Sequence, residues 1–303
     1  MKEYTIILNP VAGKGYGARL AGRVETEFQR RGCRYILLRT EHPGHATELA
    51  KAATTQLIVA LGGDGTVNEV ANGLMGSDKI LGVLPAGSGN DFIKSVNVPK
   101  KLGDAFDVLF REKVLRIDVG SVATAKDDSA TVVGVDRARR FVNGVGIGFD
   151  AAVAAKIPEI RFLTGVPLYL AAVFRTLGRF KAPHFKMRLD GTARESTNLL
   201  IAVGNGRCAG GGFYLTPDAK VDDGKLDICL IDAVSVPTIL RLMPLVMVGK
   251  HRQAKQATFL RAKELYLSAA SSFYVHADGE IVGRDVLSVA IGLHESALGV
   301  IAG

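Results

Sequence analysis

Short apolar runs alternate with longer segments of mixed polarity along the first 120 residues of this 303-residue chain. An apolar run of about five residues bounded by turn residues predicts a buried strand, and a longer mixed segment predicts a helix. The predicted strands are 4–8, 34–39, 57–61 and 80–84. The predicted helices are 18–31, 44–53 and 67–74. This alternation is typical of an α/β unit, so we expect a doubly wound parallel sheet.

Strand-like runs dominate after about residue 120, and turns such as Asp223-Gly224 separate them. These runs are 140–145, 185–189, 198–203, 226–231, 257–260, 264–268, 273–276 and 286–291. Two helical segments interrupt them, at about 151–181 and 236–251. We therefore predict a second, mainly antiparallel β-sandwich domain over 121–294. The first domain would comprise 1–120, joined by the returning tail at about 295–303.

Glycine-rich turns follow the first, third and fourth predicted strands. They are Asn9 to Gly15, Gly62 to Thr66 and Pro85 to Asp91. In an open parallel sheet, ligands bind at the carboxyl ends of the strands, and these three turns should meet there. Glycine lets backbone N–H groups approach a ligand closely, and a helix N-terminus adds a positive dipole. The arrangement suits a phosphate.

Asp64 lies inside the second of these turns, in Gly62-Gly63-Asp64-Gly65-Thr66. A carboxylate repels a phosphate unless a cation lies between them, so an acid here indicates chemistry of a Mg²⁺–nucleotide complex. The simpler alternative is an ordinary glycine turn in which Asp64 and Thr66 cap the next helix. One such loop is weak support for a nucleotide site, whereas three at one sheet edge are much stronger.

The composition narrows the class of protein. The net charge is +8 and 48% of the residues are hydrophobic, which fits a globular protein with anionic partners. No helix-turn-helix, zinc-finger or RNA-recognition signature is present, so we expect no nucleic acid partner. The three cysteines form neither a disulfide framework nor a Cys-x-x-Cys metal site, which favours a reducing compartment. With no signal peptide evident, we expect a cytoplasmic protein.

Several motifs, taken in order along the chain, resemble the diacylglycerol kinase catalytic domain family. They are Asn9-Pro10-x-x-Gly13-x-Gly15, Gly62-Gly63-Asp64-Gly65-Thr66-Val67-Asn68-Glu69, Gly87-Ser88-Gly89-Asn90-Asp91-Phe92, Gly204-Asn205-Gly206-x-x-x-Gly210-Gly211-Gly212, Pro217-Asp218-Ala219-x-x-Asp222-Asp223-Gly224-x-Leu226-Asp227 and His276-x-Asp278-Gly279-Glu280. The chain is similar to the soluble bacterial lipid kinases, which are relatives of sphingosine, ceramide and, more remotely, NAD kinases. The resemblance covers essentially the whole chain.

This resemblance implies that ATP binds in a cleft between two domains. The residues implied to contact the nucleotide are Asn9, Pro10, Val11, Ala12, Gly13, Thr40, Gly62, Gly63, Asp64, Gly65, Thr66, Val67, Asn68 and Ser88. Two positions depart from the family pattern. Ser88 stands where the family often has threonine, and it keeps the hydroxyl. Ala12 stands where a serine or another small residue is usual, so a hydroxyl contact is lost while the backbone cradle remains.

Asp278 and Glu280 flank a glycine after a predicted strand, where a sharp turn is possible. Phosphoryl transfer to an alcohol needs a group that accepts the hydroxyl proton, and the resemblance implies that Glu280 or Asp278 is this base. The alternative is a hairpin turn built on Asp-Gly. The resemblance also implies a mostly structural Mg²⁺ held by Asp223 and by carbonyls of Lys220 and Lys225, although Asp223-Gly224 is also fully explained as a hairpin turn.

The apolar stretch 162–174 is too short to span a bilayer but could lie on one. The alternative is a core-packing amphipathic helix. Basic residues that would accompany a membrane-surface segment are Arg161, Arg175, Arg179 and Lys181. A second basic cluster, Lys250, His251, Arg252 and Lys255, is interpreted as a solvated face.

The sequence as a whole predicts an ATP- and Mg²⁺-dependent kinase that phosphorylates diacylglycerol or a related neutral lipid. Asp64 would organise the metal, and Glu280 with Asp278 would activate the alcohol. Peripheral contact with an anionic membrane is expected, and a homodimer stays open. The alternatives are a kinase for NAD or a soluble polyol, and a regulatory nucleotide-binding protein without catalysis.

Overall fold

The computed structural model describes residues 2–130, 138–160, 165–177 and 180–303. Its first part contains a parallel sheet in the order β4-β3-β1-β2. The strands are β1 (Glu3–Leu8), β2 (Arg34–Arg39), β3 (Leu57–Gly62) and β4 (Ile80–Pro85). β3 is buried along its whole length, which explains its continuous apolar sequence.

Helices connect these strands: α1 (Ala12–Arg30), α2 (His45–Ala52), α3 (Asp64–Leu74), α4 (Phe92–Ser95) and α5 (Leu102–Arg111). Each of α1, α2, α3 and α5 buries one face in a core shared with the sheet. The first turn of α1 is interrupted, because Gly13, Lys14 and Gly15 have positive φ angles. The regular helix therefore starts near the predicted position, and a tight loop precedes it.

The second part is rich in antiparallel strands, and its helices lie between them. The strands are β5 (Val114–Ala125), β6 (Arg139–Phe141), β7 (Gly144–Gly148), β8 (His184–Leu189), β9 (Thr192–Gly204), β10 (Leu226–Asp232), β11 (Ala257–Ala262), β12 (Glu264–Ala277) and β13 (Glu280–Ile301). The helices are α6 (Phe149–Lys156), α7 (Gly165–Leu177) and α8 (Val236–Met247), with 3₁₀ turns at Ile157–Glu159 and Lys250–Gln253. Within the described ranges, no helix is both long and apolar enough to cross a membrane.

β13 joins the two parts. Its first half pairs with β12, and its end pairs in parallel with β4, where Gly299 lies opposite Ile80. β5 also runs along β13 over most of its length. The division near residue 120 stays a prediction, since β5 itself crosses that point.

The prediction of a two-part protein, α/β first and β-rich afterwards, is confirmed. Helices on both faces of the parallel sheet, which a doubly wound arrangement requires, stay a prediction. Several element bounds were wrong. The runs 264–268 and 273–276 form one long strand, β12, whose register shifts between Ser268 and Phe273. The run 140–145 divides between β6 and β7, and β5, α4 and α5 were not predicted.

Candidate active site

Three glycine loops meet at the carboxyl edge of the parallel sheet, and their backbones are in contact. A Cβ atom added to Gly13 would lie 2.3 Å from the carbonyl oxygen of Ala86. One added to Gly87 would lie 2.4 Å from the Cα of Gly63. Real Cβ atoms do not approach so closely, so glycine is required at these contacts. The loops after β1, β3 and β4 thus come together as predicted.

Two polar side chains of the predicted set join the loops to each other. Asn9 Nδ2 donates to Thr66 Oγ1 at 3.0 Å, and Asn9 Oδ1 accepts from the N–H of Val11 at 3.1 Å. Thr66 is buried against Gly62, where a Cβ would lie 2.4 Å from its hydroxyl oxygen. Asn9 and Thr66 therefore fix the loop backbones that would face a phosphate.

The other predicted nucleotide contacts differ in their access. Val11 and Ser88 are exposed, and Thr40 lies just after β2, where its N–H donates to the carbonyl of Leu8. The side chain of Val67 is buried in the core, so only its backbone could contact a ligand. Pro10, Ala12 and Gly65 are partly exposed at the ends of the loops.

Asn68, which the resemblance places at the nucleotide, has its side chain fully engaged elsewhere. Its Nδ2 donates to Asp278 Oδ2 at 2.7 Å and to the carbonyl of Arg140 at 3.0 Å. Its Oδ1 accepts from Arg139 Nη2 and from Asn72 Nδ2, both at 3.1 Å. Asn68 is buried, and it fastens α3 to the β-rich part instead of offering a free donor.

Asp64 is the first residue of α3 and accepts two backbone hydrogen bonds. Its Oδ1 accepts from the N–H groups of Asp91 at 2.6 Å and Phe92 at 3.1 Å. Burial, followed by the neighbouring carboxylate of Asp91 and, more weakly, that of Asp278, raises the pKa of Asp64 to about 6. Like charges in a partly buried site destabilise one another.

Asp91 completes this acidic group and was not predicted as a site residue. Its side chain is buried, its Oδ1 accepts from Lys94 Nζ at 2.8 Å, and its Oδ2 accepts from the N–H of Gly211 at 2.6 Å. The second oxygen of Asp64 lies 3.0 Å from a Cβ placed on Gly89. A divalent cation would relieve the repulsion between these carboxylates, so the donor set fits Mg²⁺ with Asp64 as its holder.

Asp278 is saturated with hydrogen bonds. Its Oδ2 accepts from Asn68 Nδ2 and from the N–H of Val142 at 2.8 Å, while its Oδ1 accepts from the N–H groups of Asn143 at 3.0 Å and Gly144 at 2.9 Å. Burial raises the pKa of Asp278, and the four donors oppose that shift because they stabilise the carboxylate. Through these hydrogen bonds Asp278 connects Asn68 of α3 to Gly144 of β7.

Glu280 is the freer of the two carboxylates. Its side chain is 49% exposed, and its Oε2 pairs with Arg139 Nη2 at 2.5 Å. Its Oε1 lies 3.6 Å from a Cβ placed on Gly65, which sets it directly beside the Asp64 loop. Of the two acids predicted to serve as the base, Glu280 alone keeps an oxygen available. Arg139, its partner, was missed, since nothing local in the sequence marks it.

The loop predicted to hold a second Mg²⁺ is organised differently. The carboxylate of Asp223 pairs with Arg261 and accepts from the N–H of Lys225 at 3.2 Å. The N–H of Gly224 donates to the buried Asp118 at 2.7 Å. In this arrangement the Arg261 guanidinium pairs with one oxygen of the carboxylate that the metal would need. The Mg²⁺ site at Asp223, Lys220 and Lys225 stays a prediction.

An apolar cavity of ≈ 260 Å³ begins beside Gly279 and His276. The rest of its lining comes from α6, α7, β9, β10, α8, the 3₁₀ turn at Ile157 and the segment 209–215, and includes Phe149, Val173, Leu199, Ile231 and Leu242. His276 and Asp150 also line it, and their Nε2 and Oδ2 atoms are 3.2 Å apart. Gly146 makes room for this pair, because a Cβ there would lie 2.2 Å from His276 Nε2. No local motif in the sequence marks this cavity.

The basic residues expected at a membrane surface are only partly described. Arg175 and Lys181 are exposed. Arg161 and Arg179 lie outside the residues that the structure describes, as does the start of the apolar stretch at 162.

Comparisons with known proteins identify the family of this chain. The sequence profile of the "Diacylglycerol kinase catalytic domain" family matches residues 3–122, and that of the "YegS C-terminal NAD kinase beta sandwich-like domain" matches residues 143–302. A diacylglycerol kinase of Mycobacterium tuberculosis is 30% identical over 283 residues, covering 92% of this chain and 88% of that protein. The chain belongs to the diacylglycerol kinase catalytic domain family.

Other relatives support the same assignment. A diacylglycerol kinase of Staphylococcus saprophyticus is 27% identical over 93% of this chain and 90% of its own length. A crystal structure of a Bacillus anthracis protein superposes with a TM-score of 0.77 at 26% identity, covering 100% of this chain and 95% of that one. The β-rich second part and the α/β first part are thus those of the family, and the protein is a kinase of this superfamily.

Proposed function

We propose that this family member is an ATP- and Mg²⁺-dependent lipid kinase that transfers the γ-phosphoryl group to the hydroxyl of diacylglycerol or a related neutral lipid. It would act at the cytoplasmic surface of a membrane. One observation carries the choice of acceptor: an apolar cavity reaches Gly279, between Asp278 and Glu280, beside the glycine loops. A lipid chain in that cavity would bring its polar end to Glu280.

The nucleotide side of the reaction rests on the loops. Backbone N–H groups of the three glycine loops and the N-terminus of α3 would hold the phosphates. Asp64 is the residue that would hold Mg²⁺, which supplies neutralisation of the charge that develops on the phosphoryl oxygens. Asn9 and Thr66 keep the loops in register through their hydrogen bond of 3.0 Å.

The acceptor side rests on Glu280. Its Oε1 is beside Gly65, so a hydroxyl presented between the two could donate its proton to this carboxylate. Arg139 holds the other oxygen, which orients the carboxylate. Asp278 contributes through its four hydrogen bonds, because these keep the turn before Glu280 in place. Asp278 would thus act as a positioning residue.

An acceptor such as NAD or a soluble polyol fits the cavity less well. These molecules are polar over most of their surface, and the polar atoms would lose hydrogen bonds to water among Phe149, Leu199 and Ile231. A binding protein without catalysis is also disfavoured, because the site contains Asp64, which would hold a cation, and Glu280, which is accessible. The cavity therefore favours the lipid acceptor.

Transfer of labelled phosphate from ATP to a panel of acceptors tests this function. The panel should contain diacylglycerol, monoacylglycerol, sphingosine and ceramide, with NAD and a soluble polyol as matched controls. We expect Mg²⁺-dependent product with at least one neutral lipid and none with the polar controls. Product with NAD alone, or nucleotide binding without any transfer, would contradict the proposal.

A further inference from the structure

The outer surface of α8 is apolar and exposed. Val236, Leu240 and Met247 of this helix, and Val248 directly after it, have relative exposures of 41%, 38%, 39% and 61%. These four residues are called the α8 face below. The spacing places Val236, Leu240 and Met247 along one side of the helix, and Val248 follows at its end. Large apolar side chains grouped in this way mark a surface that contacts a partner or a membrane.

An adjoining side of α8 lines the cavity. Ile239, Leu242, Met243 and Val246 all contribute to its wall, and Met243 lies three residues after Leu240 on the boundary between the two sides. The helix is therefore a single layer between the cavity and the surface, and both of its sides are apolar. α7 repeats this pattern, because Val173 lines the cavity while the next residue, Phe174, is 56% exposed.

The segment that contains α8 is basic. Residues 233–257 include Arg241, Lys250, Arg252 and Lys255 and no Asp or Glu, while the exposed Asp232 directly precedes them. Arg252 is paired with Asp218, which leaves the exposed Arg241, Lys250 and Lys255 as basic groups within that segment. Basic side chains beside an apolar surface complement anionic lipid headgroups above an acyl layer. The basic cluster interpreted from the sequence as a solvated face thus adjoins an apolar one.

We propose that the α8 face docks on the surface of an anionic lipid bilayer, so that the cavity behind the helix is presented to the membrane. This inference rests on the proposed lipid kinase function and identifies the surface through which the enzyme meets its substrate. A bilayer accounts for three observations together: exposed apolar side chains, an excess of basic neighbours, and a cavity lined by the same helix. The segment at 161–181 is not needed as the main contact.

Co-sedimentation with vesicles tests the docking directly. The vesicles are phosphatidylcholine alone, or phosphatidylcholine mixed with phosphatidylglycerol, each at low and high salt. The double variant Leu240→Glu/Val248→Glu should bind mixed vesicles at least about tenfold more weakly than the natural protein. Ile36→Glu is the matched control, because Ile36 is 42% exposed on β2. It should bind like the natural protein.

A second pair of variants tests the electrostatic part. Arg241→Gln and Lys250→Gln should each weaken binding to mixed vesicles by about fivefold at low salt, and by less at high salt. Lys51→Gln, an exposed lysine on α2, is the matched control and should have no effect. All variants should phosphorylate a water-soluble, short-chain diacylglycerol at the natural rate, since none of these residues lines the cavity or the loops.

The outcomes separate the two proposals. If the natural protein binds neither kind of vesicle, or if Ile36→Glu weakens binding as much as the α8 variants do, the docking proposal is wrong. If sedimentation velocity shows a dimer that only the α8 variants lose, a second copy covers the face, which also overturns it. Vesicle binding through α8 without transfer to any lipid would leave docking in place and overturn the proposed function.

Discussion

The two ends of the candidate site differ in whether backbone or side-chain atoms form them. The nucleotide end is made of backbone, where glycines at positions such as 63 and 87 let two loops touch. The acceptor end is made of side chains, where Phe149, Leu199 and Leu242 from distant segments enclose a cavity. Backbone N–H groups suit a phosphate, whereas apolar side chains suit a hydrocarbon chain.

Two contacts join the nucleotide end of the site to the acceptor end. Asn68, from the helix that follows a glycine loop, donates to Asp278, from the turn beside the cavity. Glu280, two residues later, lies over Gly65 of the same loop. Phosphoryl transfer would occur where the two ends meet. A substitution at one end should therefore affect either ATP or the lipid and leave the other substrate unaffected. The following predictions use that separation.

The largest effect is expected at the nucleotide end, from Asp64→Asn. The amide oxygen can still accept from the N–H groups of Asp91 and Phe92, so the fold should be kept. Turnover should fall about a hundredfold or more, because the charge that would hold Mg²⁺ is lost. Steady-state kinetics, with thermal unfolding as the control for folding, measure this. A loss below about fivefold would show that Asp64 has no metal role.

Glu280→Gln should lower kcat by about a hundredfold and leave the affinity for ATP nearly unchanged. A proton acceptor matters in the transition state, whereas Gln can still accept from Arg139. Turnover and nucleotide binding should be measured separately. Equal losses in both would mean that Glu280 holds the nucleotide.

Asp278→Asn should act mainly on stability. Its amide would place an NH₂ group against some of the four N–H donors that now surround the carboxylate. We expect the free energy of unfolding to fall by about 3 kcal/mol. Denaturant titration measures it, with Glu280→Gln as the matched control, which should change it by less than ~0.5 kcal/mol. Unchanged stability with lost turnover would instead assign the base to Asp278.

Gly87→Ala should raise the KM for ATP at least about tenfold, since a new methyl group would separate the two loops. Gly22→Ala, on α1 and away from the loops, is the control. A Cβ at Gly22 would meet nothing within 4 Å. The KM for the lipid should not change in either variant. Similar KM values for ATP in the two alanine variants would show that loop contact does not shape the nucleotide site.

The smallest effect is expected from filling the cavity by Ala154→Leu. Ala154 lines the cavity, so the larger side chain should raise the KM for a long-chain diacylglycerol about fivefold. The KM for ATP and the rate with a short-chain, water-soluble acceptor should stay the same. An equal loss with short and long acceptors would argue that the chain binds elsewhere.

The sequence by itself determined the parallel strands and the loops between them. An apolar run directly followed by glycine, such as 57–61, is a pattern of residues adjacent in sequence, and it predicts a strand and a turn. The structure has β3 and α3 there. The motifs taken together along the chain were sufficient to indicate the kinase family, which the comparisons confirm. The specific roles of the site residues remain predictions.

Only the tertiary structure decided which residues join distant segments of the chain through hydrogen bonds. Asn68 and Glu69 belong to the family motif, yet Asn68 binds Asp278, and Glu69 accepts from the N–H groups of Gly44 and Ala46 at the start of α2. Arg139 reaches Glu280 across 141 positions of sequence. The cavity likewise depends on residues that lie far apart in the sequence, from Phe149 to Gly279. Local patterns report local backbone geometry, whereas these contacts arise only when packing brings distant segments together.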